Sequence, residues 1–149
     1  MMLRMNKVAI GVFALVVAGG GAYVMTVGAD APNVSGATPP TVAALLVEVA
    51  IPATFTEQQA MGQIAFEASC AACHGVNAAG RDGIAPPLVH KIYEPSHHGD
   101  EAFQRAVALG VQAHHWPFGN MAAVEGLTRA DVATIVSYIR ALQVENGIN

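Results

Sequence analysis

The sequence predicts an all-α domain that follows an apolar N-terminal segment. Three stretches between residues 56 and 149 show helical periodicity with recognisable ends, and no alternating strand pattern of any length occurs there. A body of this size with few helices buries little apolar surface, and the long connection at residues 76–99 needs something to pack against. We therefore expect helices arranged around a bulky internal ligand.

The apolar segment at residues 8–27 contains no charged residue. As a helix it would cover ~30 Å, the thickness of a bilayer's hydrocarbon core. Arg4 and Lys7 precede it, and the next basic residue is Arg81. By the positive-inside rule the rest of the chain lies outside the cytoplasm. We expect a membrane anchor, and the alternative is a signal peptide cleaved near residues 27–29.

The chain divides into four parts by composition. A linker is predicted after the apolar segment because residues 28–40 are rich in proline and glycine. The second half of this linker contains an apolar stretch at 42–51, which fits a short helix or a strand and whose role is open. The predicted parts are a cytoplasmic N-terminus at 1–7, an anchor or signal peptide at 8–27, a linker at 28–54 and a folded domain at 55–149.

The exported part is acidic. From residue 30 onward it has five Lys and Arg and eleven Asp and Glu, so its formal net charge is −6. Nucleic acids and anionic membrane surfaces favour basic proteins, so the charge argues against both as partners. It predicts protein partners with basic docking surfaces.

The first helix is predicted to begin at Thr56, since Thr56 and Gln59 fit a capping box, and to run into Cys70. The second covers residues 100–109 and stops at Gly110. The third covers residues 128–144, with Thr128 as its cap. Their apolar positions are Ala60, Met61, Ile64, Ala65 and Ala68 in the first helix, Phe103, Ala106 and Val107 in the second, and Val132, Ile135, Val136, Ile139 and Leu142 in the third.

Cys70 and Cys73 are the only cysteines, and His74 follows at once. A disulfide over three residues would remove little chain entropy. A thiol redox pair is typical of a helix start in a fold with a central sheet. Here the two cysteines come at the end of a predicted helix, in a body without predicted strands. A zinc site needs four ligands, and the remaining histidines lack the usual His-x₃₋₅-His spacing.

The remaining interpretation is a tether for haem. Cys-x-x-Cys-His is the attachment signature of c-type haem. Two thiols one helical turn apart can each bond one vinyl group of a porphyrin, and the next imidazole then lies under the iron. We predict one covalent haem c, with Cys70 and Cys73 as attachment residues and His74 as an iron ligand.

The second iron ligand is predicted to be Met121, in the loop HHWPFGNMAAVEG. The other methionines lie in the N-terminal segment or before the haem motif. Trp116 and Phe118 of the same loop would form an apolar wall. His114 or His115 is the alternative ligand, and the role of these two histidines is otherwise open.

Residues 55–143 resemble a class I c-type cytochrome. Besides the haem motif and Met121, the matching positions are Gly62, Phe66, Pro86, Leu88, Leu127, Asp131, Val132, Ile135, Tyr138, Ile139 and Leu142. The resemblance implies that the Pro86 carbonyl accepts a hydrogen bond from the His74 ring. It also implies a close crossing of the first and last helices, made possible by Gly62 at Tyr138. The chain departs from many members at Ala122, where they have proline.

The expected function is one-electron transfer in a bacterial-type respiratory or related chain, without catalytic residues or a small-molecule substrate. Thioether ligation tends to raise the reduction potential. An apolar wall would act in the same direction, and its predicted members are Ile64, Phe66, Leu88, Trp116 and Phe118. One alternative is a haem enzyme or ligand sensor in which Met121 is displaced. Another is a fixed electron-relay subunit of a membrane oxidoreductase.

The expected location is the inner membrane, with a single span and the haem domain on the periplasmic side. The alternative is a soluble periplasmic protein after signal cleavage. In the first case the partners are expected to be membrane complexes.

Overall fold

The computed structural model describes residues 43–149. In this range four α-helices follow one another: α1 (Glu57–Ser69), α2 (Ala71–His74), α3 (Asp100–Leu109) and α4 (Arg129–Glu145), with 3₁₀ turns at Val76–Ala78 and Lys91–Tyr93. Within these residues there are isolated β-bridges at Arg81–Ala85 and Val111–Met121 but no strand. The predicted all-α class is therefore confirmed.

The predicted apolar segment at 8–27 and the linker as far as residue 42 lie outside the described residues. In the part of the chain that the structure describes, no helix combines the length and the hydropathy needed to cross a bilayer.

Helix α1 begins at the predicted capping box. The Thr56 hydroxyl accepts a hydrogen bond from the Gln59 amide, and the Thr56 amide donates to the Gln59 side chain at 2.9 Å. Of the apolar positions of this helix, Ile64 is 69% exposed and Met61 is half exposed, so the prediction of Ile64 as a wall residue is wrong, whereas Gly62 and Phe66 are buried. The helix turns its glycine inward because only that face permits the close backbone contact with α4.

The crossing of α1 and α4 is unusually close at Gly62. A Cβ atom there would lie 1.9 Å from the backbone oxygen of Thr134. Beside this contact the buried Tyr138 ring packs against Phe66, with ring centroids 5.7 Å apart, and against Phe55 at 5.4 Å. The structure thus has the close crossing that the resemblance implied.

Helices α3 and α4 have almost the predicted bounds. The Thr128 hydroxyl accepts from the Asp131 amide, and Asp131 accepts from the Thr128 amide, which makes a second capping box. Helix α3 ends at Gly110, which has a φ of +76°. The predicted α4 stripe is buried, and Tyr138 and Gln143 are buried with it.

Two polar side chains of α4 hold the long loop at 76–99. Gln143 is fully buried and donates to the backbone oxygens of Leu88 (2.8 Å) and Tyr93 (3.1 Å). The Arg140 guanidinium donates to the backbone oxygens of Tyr93 (2.7 Å) and His98 (2.6 Å). The loop was expected to pack on an internal ligand, and these contacts show that α4 also anchors it.

The stretch at 42–51, which fitted either a helix or a strand, is neither in its described part. The amides of Leu46 and Val47 donate to the Ala79 oxygen at 3.2 Å each. Ala50 and the Asn146 side chain exchange two hydrogen bonds, at 2.9 and 2.8 Å. Residues 46–50 therefore lie against the helical body, before the predicted domain start at residue 55. The four-part division of the chain itself stays a prediction.

We predict that Gly62→Ala destabilises the haem-loaded protein by at least ~2 kcal/mol, because the added methyl group would meet the rigid α4 backbone. Denaturant unfolding measures the change. Ile64→Ala on the exposed face of the same helix is the control, with an expected change within ~0.5 kcal/mol. Equal stability of the two variants would contradict the close crossing.

Candidate functional site

The Cys-x-x-Cys-His motif lies at the junction of α1 and α2. Cys70 ends α1, where its amide donates to the Phe66 oxygen at 2.8 Å, and its own oxygen accepts from the His74 amide at 2.9 Å. Neither Cys70 nor Cys73 forms a disulfide. Both thiols and the His74 ring line one cavity of about 710 Å³, a volume typical of ligand sites.

The environment of Cys70 does not suit a reactive thiol. Burial, and to a smaller extent the neighbouring Cys73, raises the pKa of Cys70 to about 11. Reactive thiols need the opposite, a lowered pKa that yields the thiolate near neutral pH. The structure therefore argues against Cys70 as a reactive thiolate.

The His74 imidazole is held in one orientation and one tautomer. Its Nδ1 lies 2.9 Å from the Pro86 oxygen, the contact that the resemblance implied. A carbonyl oxygen can only accept, so Nδ1 bears the proton and Nε2 keeps a lone pair. Burial lowers the pKa of His74, and the Pro86 hydrogen bond opposes this effect in part. The neutral ring is the form that binds a metal ion.

Met121 lines the same cavity and is fixed through its backbone. It exchanges two hydrogen bonds with Val111, both at 2.9 Å, and three residues later the Val124 amide donates to the Val107 oxygen at 2.9 Å. Gly110 makes room for this pairing, because a Cβ there would lie 2.5 Å from the Met121 oxygen. The end of α3 thus holds the methionine loop, although alanine rather than proline follows the methionine.

The walls of the cavity are mostly apolar. Of the predicted wall residues, Phe66, Leu88, Trp116 and Phe118 line the cavity, whereas the exposed Ile64 does not. Sequence reasoning did not assign several further wall residues, namely Tyr93, Phe103, Ile135, Val136 and Ile139. The four helical residues among them, Phe103, Ile135, Val136 and Ile139, lie on faces that periodicity identified as apolar. The sequence pattern could therefore have identified them as wall residues. Tyr93 lies in the long loop, where no periodic pattern marks it.

Trp116 contains a buried donor without a partner. Its ring stacks on Phe118, with centroids 5.8 Å apart and planes 10° apart, and forms a T-shaped pair with His90, with centroids 5.1 Å apart. The Nε1 atom lies near the Tyr93 side chain, but no described residue accepts a hydrogen bond of normal geometry from it. An unsatisfied buried donor is costly. A carboxylate-bearing group in the cavity would satisfy it, and haem has two propionates, so the residues present fit this cofactor.

The cytochrome c family model matches residues 59–143, more than half of the chain. The chain belongs to the cytochrome c family. Comparison with curated proteins gives no match. The family implies a covalently attached haem c, so the cofactor prediction is confirmed. Membership of this family also supports a haem-based electron-transfer protein, because the cytochrome c domain is typical of electron carriers and not of enzymes.

Changes in the motif of this cytochrome c test its attachment site. Cys70→Ala or Cys73→Ala should leave at most one thioether bond, which the absorption of the pyridine haemochrome measures. His74→Ala should abolish the correctly ligated holoprotein, and its body should unfold because the loops lose the group on which they pack. Ser69→Ala, which changes a neighbouring cavity residue without a thiol or imidazole, is the matched control. Normal haem content and helicity in the His74 variant would contradict the assignment.

Proposed function

We propose that this cytochrome c carries single electrons with His74 and Met121 as the two axial ligands of its haem iron. The observation that supports this most directly is the state of the His74 ring, whose Nδ1–H is committed to the Pro86 oxygen and whose Nε2 is left for a metal. Met121 lies on the wall of the same cavity, with its backbone paired to Val111. The bound haem supplies the iron that alternates between ferric and ferrous states.

The protein's own groups would set the redox properties. A thioether ligand raises the reduction potential. The apolar walls exclude water, which disfavours the more highly charged ferric state for the same reason that burial disfavours any charge. If His74 and Met121 both hold the iron, small molecules would have no access to it. This is why we favour a carrier over a haem enzyme or ligand sensor.

Met121→Ala tests the second ligand. The sulfur-to-iron absorption band in the far red should vanish, the reduction potential should fall, and carbon monoxide should bind the ferrous form readily. Absorption spectroscopy and a redox titration measure these changes.

Met61→Ala is the control for this variant. Met61 is the other methionine among the described residues, half exposed on α1, and its variant should keep the native spectrum. If Met121→Ala also kept the native spectrum, the ligand would be another residue, and His114 and His115 would be tested next. A high-spin native protein would instead favour the enzyme or sensor.

We further propose that the uncharged residues 8–27 anchor the protein in the inner membrane, with the haem domain on the periplasmic side. Arg4 and Lys7 before this segment support the orientation. Residues 46–50 are hydrogen-bonded to the body, so the chain between anchor and body is shorter than the predicted linker. The Asp82 amide also donates to the Ala44 oxygen at 2.9 Å. The remaining residues 28–43 could therefore reach at most ~50 Å, at ~3.3 Å per residue. Such a tether would keep the haem domain close to membrane partners at high effective concentration.

Removal of residues 1–27 tests the anchor. Exported with a cleavable signal, the shortened protein should be soluble with an unchanged spectrum, and electron flow in membranes should drop unless it is added in excess. Cell fractionation and membrane oxidase or reductase assays measure both effects. A native protein found wholly in the soluble periplasmic fraction, with its N-terminus near Asp30, would show that the segment is a signal peptide. Stable copurification with other haem subunits would favour the fixed relay.

Electrostatic docking has a separate test. The exported part has a formal charge of −6, and the haem propionates add to it. Electron transfer to a partner with a basic surface should therefore slow as salt rises, because the Debye length falls to ~10 Å at 0.1 M and ~3 Å at 1 M. Stopped-flow rates across a salt series measure this. Rates that do not respond to ionic strength would remove the argument for basic docking surfaces.

A further inference from the structure

Four histidines that the electron-carrier function does not use gather on two loops on either side of α3. His97 and His98 precede the helix, and His114 and His115 follow it. Neighbouring rings in this histidine cluster have centroids 4.2 to 6.1 Å apart. At least sixteen positions in sequence separate the two pairs, so only the fold brings them together.

Two rings of the cluster have their free nitrogen defined by a backbone contact. His98 Nδ1 lies 2.7 Å from the Ile92 oxygen, and His114 Nδ1 lies 2.8 Å from the Gln112 oxygen. Because carbonyl oxygens only accept, both Nδ1 atoms bear the proton and both Nε2 atoms keep a lone pair. Metal-binding histidines are oriented by the same kind of contact from the ring nitrogen that does not bind the metal.

The spacing of the nitrogens matches a metal site. One ligand atom from each of His97, His98 and His115 lies within 4.8 Å of the other two. The Nε2 atoms of His97 and His115 are 3.4 Å apart. Two nitrogens bound at ~2.0–2.1 Å to one tetrahedral zinc ion are also about 3.4 Å apart. Small side-chain rotations would therefore bring all three nitrogens to one ion.

We propose that His97, His98 and His115 form a second metal site, for a divalent ion of the zinc and copper class, separate from the haem iron. Imidazole is a preferred ligand of both metals. Three nitrogens leave a fourth position open for water or a group from a partner. His97 and His115 are exposed, so an ion can enter from solvent. The negative charge of the body attracts cations.

The scaffold holds both loops in place before an ion binds. The Arg140 guanidinium donates to the His98 oxygen at 2.6 Å and pairs with Asp100 at 2.9 Å. On the other loop, the Ala113 amide donates to the Asn120 side chain at 2.9 Å. Preorganised ligands lose little conformational entropy on binding, which favours affinity.

The site borders the haem cavity, since His98, His114 and His115 line that cavity too. A bound divalent ion would place positive charge near the haem and favour the ferrous state, so the reduction potential should rise when the ion binds. By linkage, the ferrous protein should bind the ion more tightly than the ferric protein.

Calorimetric titration of the holoprotein with Zn²⁺ tests the proposal. The cysteine sulfurs are bonded to haem in this form, so free thiols do not contribute. We expect one ion per protein, and a loss of affinity of at least tenfold in His97→Gln and in His115→Gln. In Cu²⁺-loaded protein, electron paramagnetic resonance should show hyperfine splitting from bound nitrogens, and the same variants should weaken it.

His90→Asn is the matched control. His90 lies outside the cluster, and its Nδ1 accepts from the Ile92 amide, a capping contact that asparagine can replace. This variant should bind Zn²⁺ like the native protein. The proposal is overturned if the native holoprotein binds no Zn²⁺, if the cluster variants bind it as tightly as the native protein, or if His90→Asn loses affinity equally. It is also overturned if a cluster variant changes the haem ligation spectrum, because that histidine would then serve the iron.

Discussion

The close contact between the α1 backbone at Gly62 and the α4 backbone at Thr134 determines the orientation of the haem motif. It fixes how far α1 is rotated about its axis, and α2 follows directly after α1. That rotation turns Phe66 inward and brings Cys70, Cys73 and the His74 ring to the cavity wall. A larger residue at position 62 would separate the helices or rotate α1, and either change would displace the thiols from a fixed porphyrin.

Helix α4 also controls the His74 ring indirectly. Its Gln143 and Arg140 side chains bind the backbone of the loop at 76–99, which contains Pro86. The Pro86 oxygen in turn fixes the tautomer of His74. A continuous series of contacts therefore links α4 to the imidazole: side chains of α4 donate to the loop backbone, and the Pro86 oxygen of the same loop accepts from His74. All members of this network are protein groups, and it leaves the Nε2 atom of the ring for the haem iron.

Local patterns were sufficient to predict the features that depend on neighbouring residues. The capping boxes at Thr56 and Thr128 identify two helix starts. The five residues of the haem motif contain both thiols for attachment and the imidazole predicted to bind the iron. Periodicity alone did not show which apolar positions of α1 face the core: Met61 and Ile64 are exposed, and the crossing at Gly62 determines which side is buried. The contacts of Arg140 and Gln143 span more than 40 positions, so no local pattern contains them. The histidine cluster was missed for the same reason, since each His-His pair alone lacks the spacing of a metal motif.

The methionine loop connects the proposed axial ligand to the histidine cluster. Val111 and Met121 close this loop with two hydrogen bonds, and His114 and His115 lie between them. Movement of the two histidines would therefore be coupled to Met121 mainly through the Val111–Met121 pairing. No proline follows the methionine to stiffen the backbone there. An ion bound to His115 would tie the loop to His97 and His98, on the segment that Arg140 already holds. Such a cross-link would oppose the outward movement of the loop that displacement of Met121 requires. The two sites would then reinforce each other, and the cluster would favour the closed, electron-carrying state of the haem.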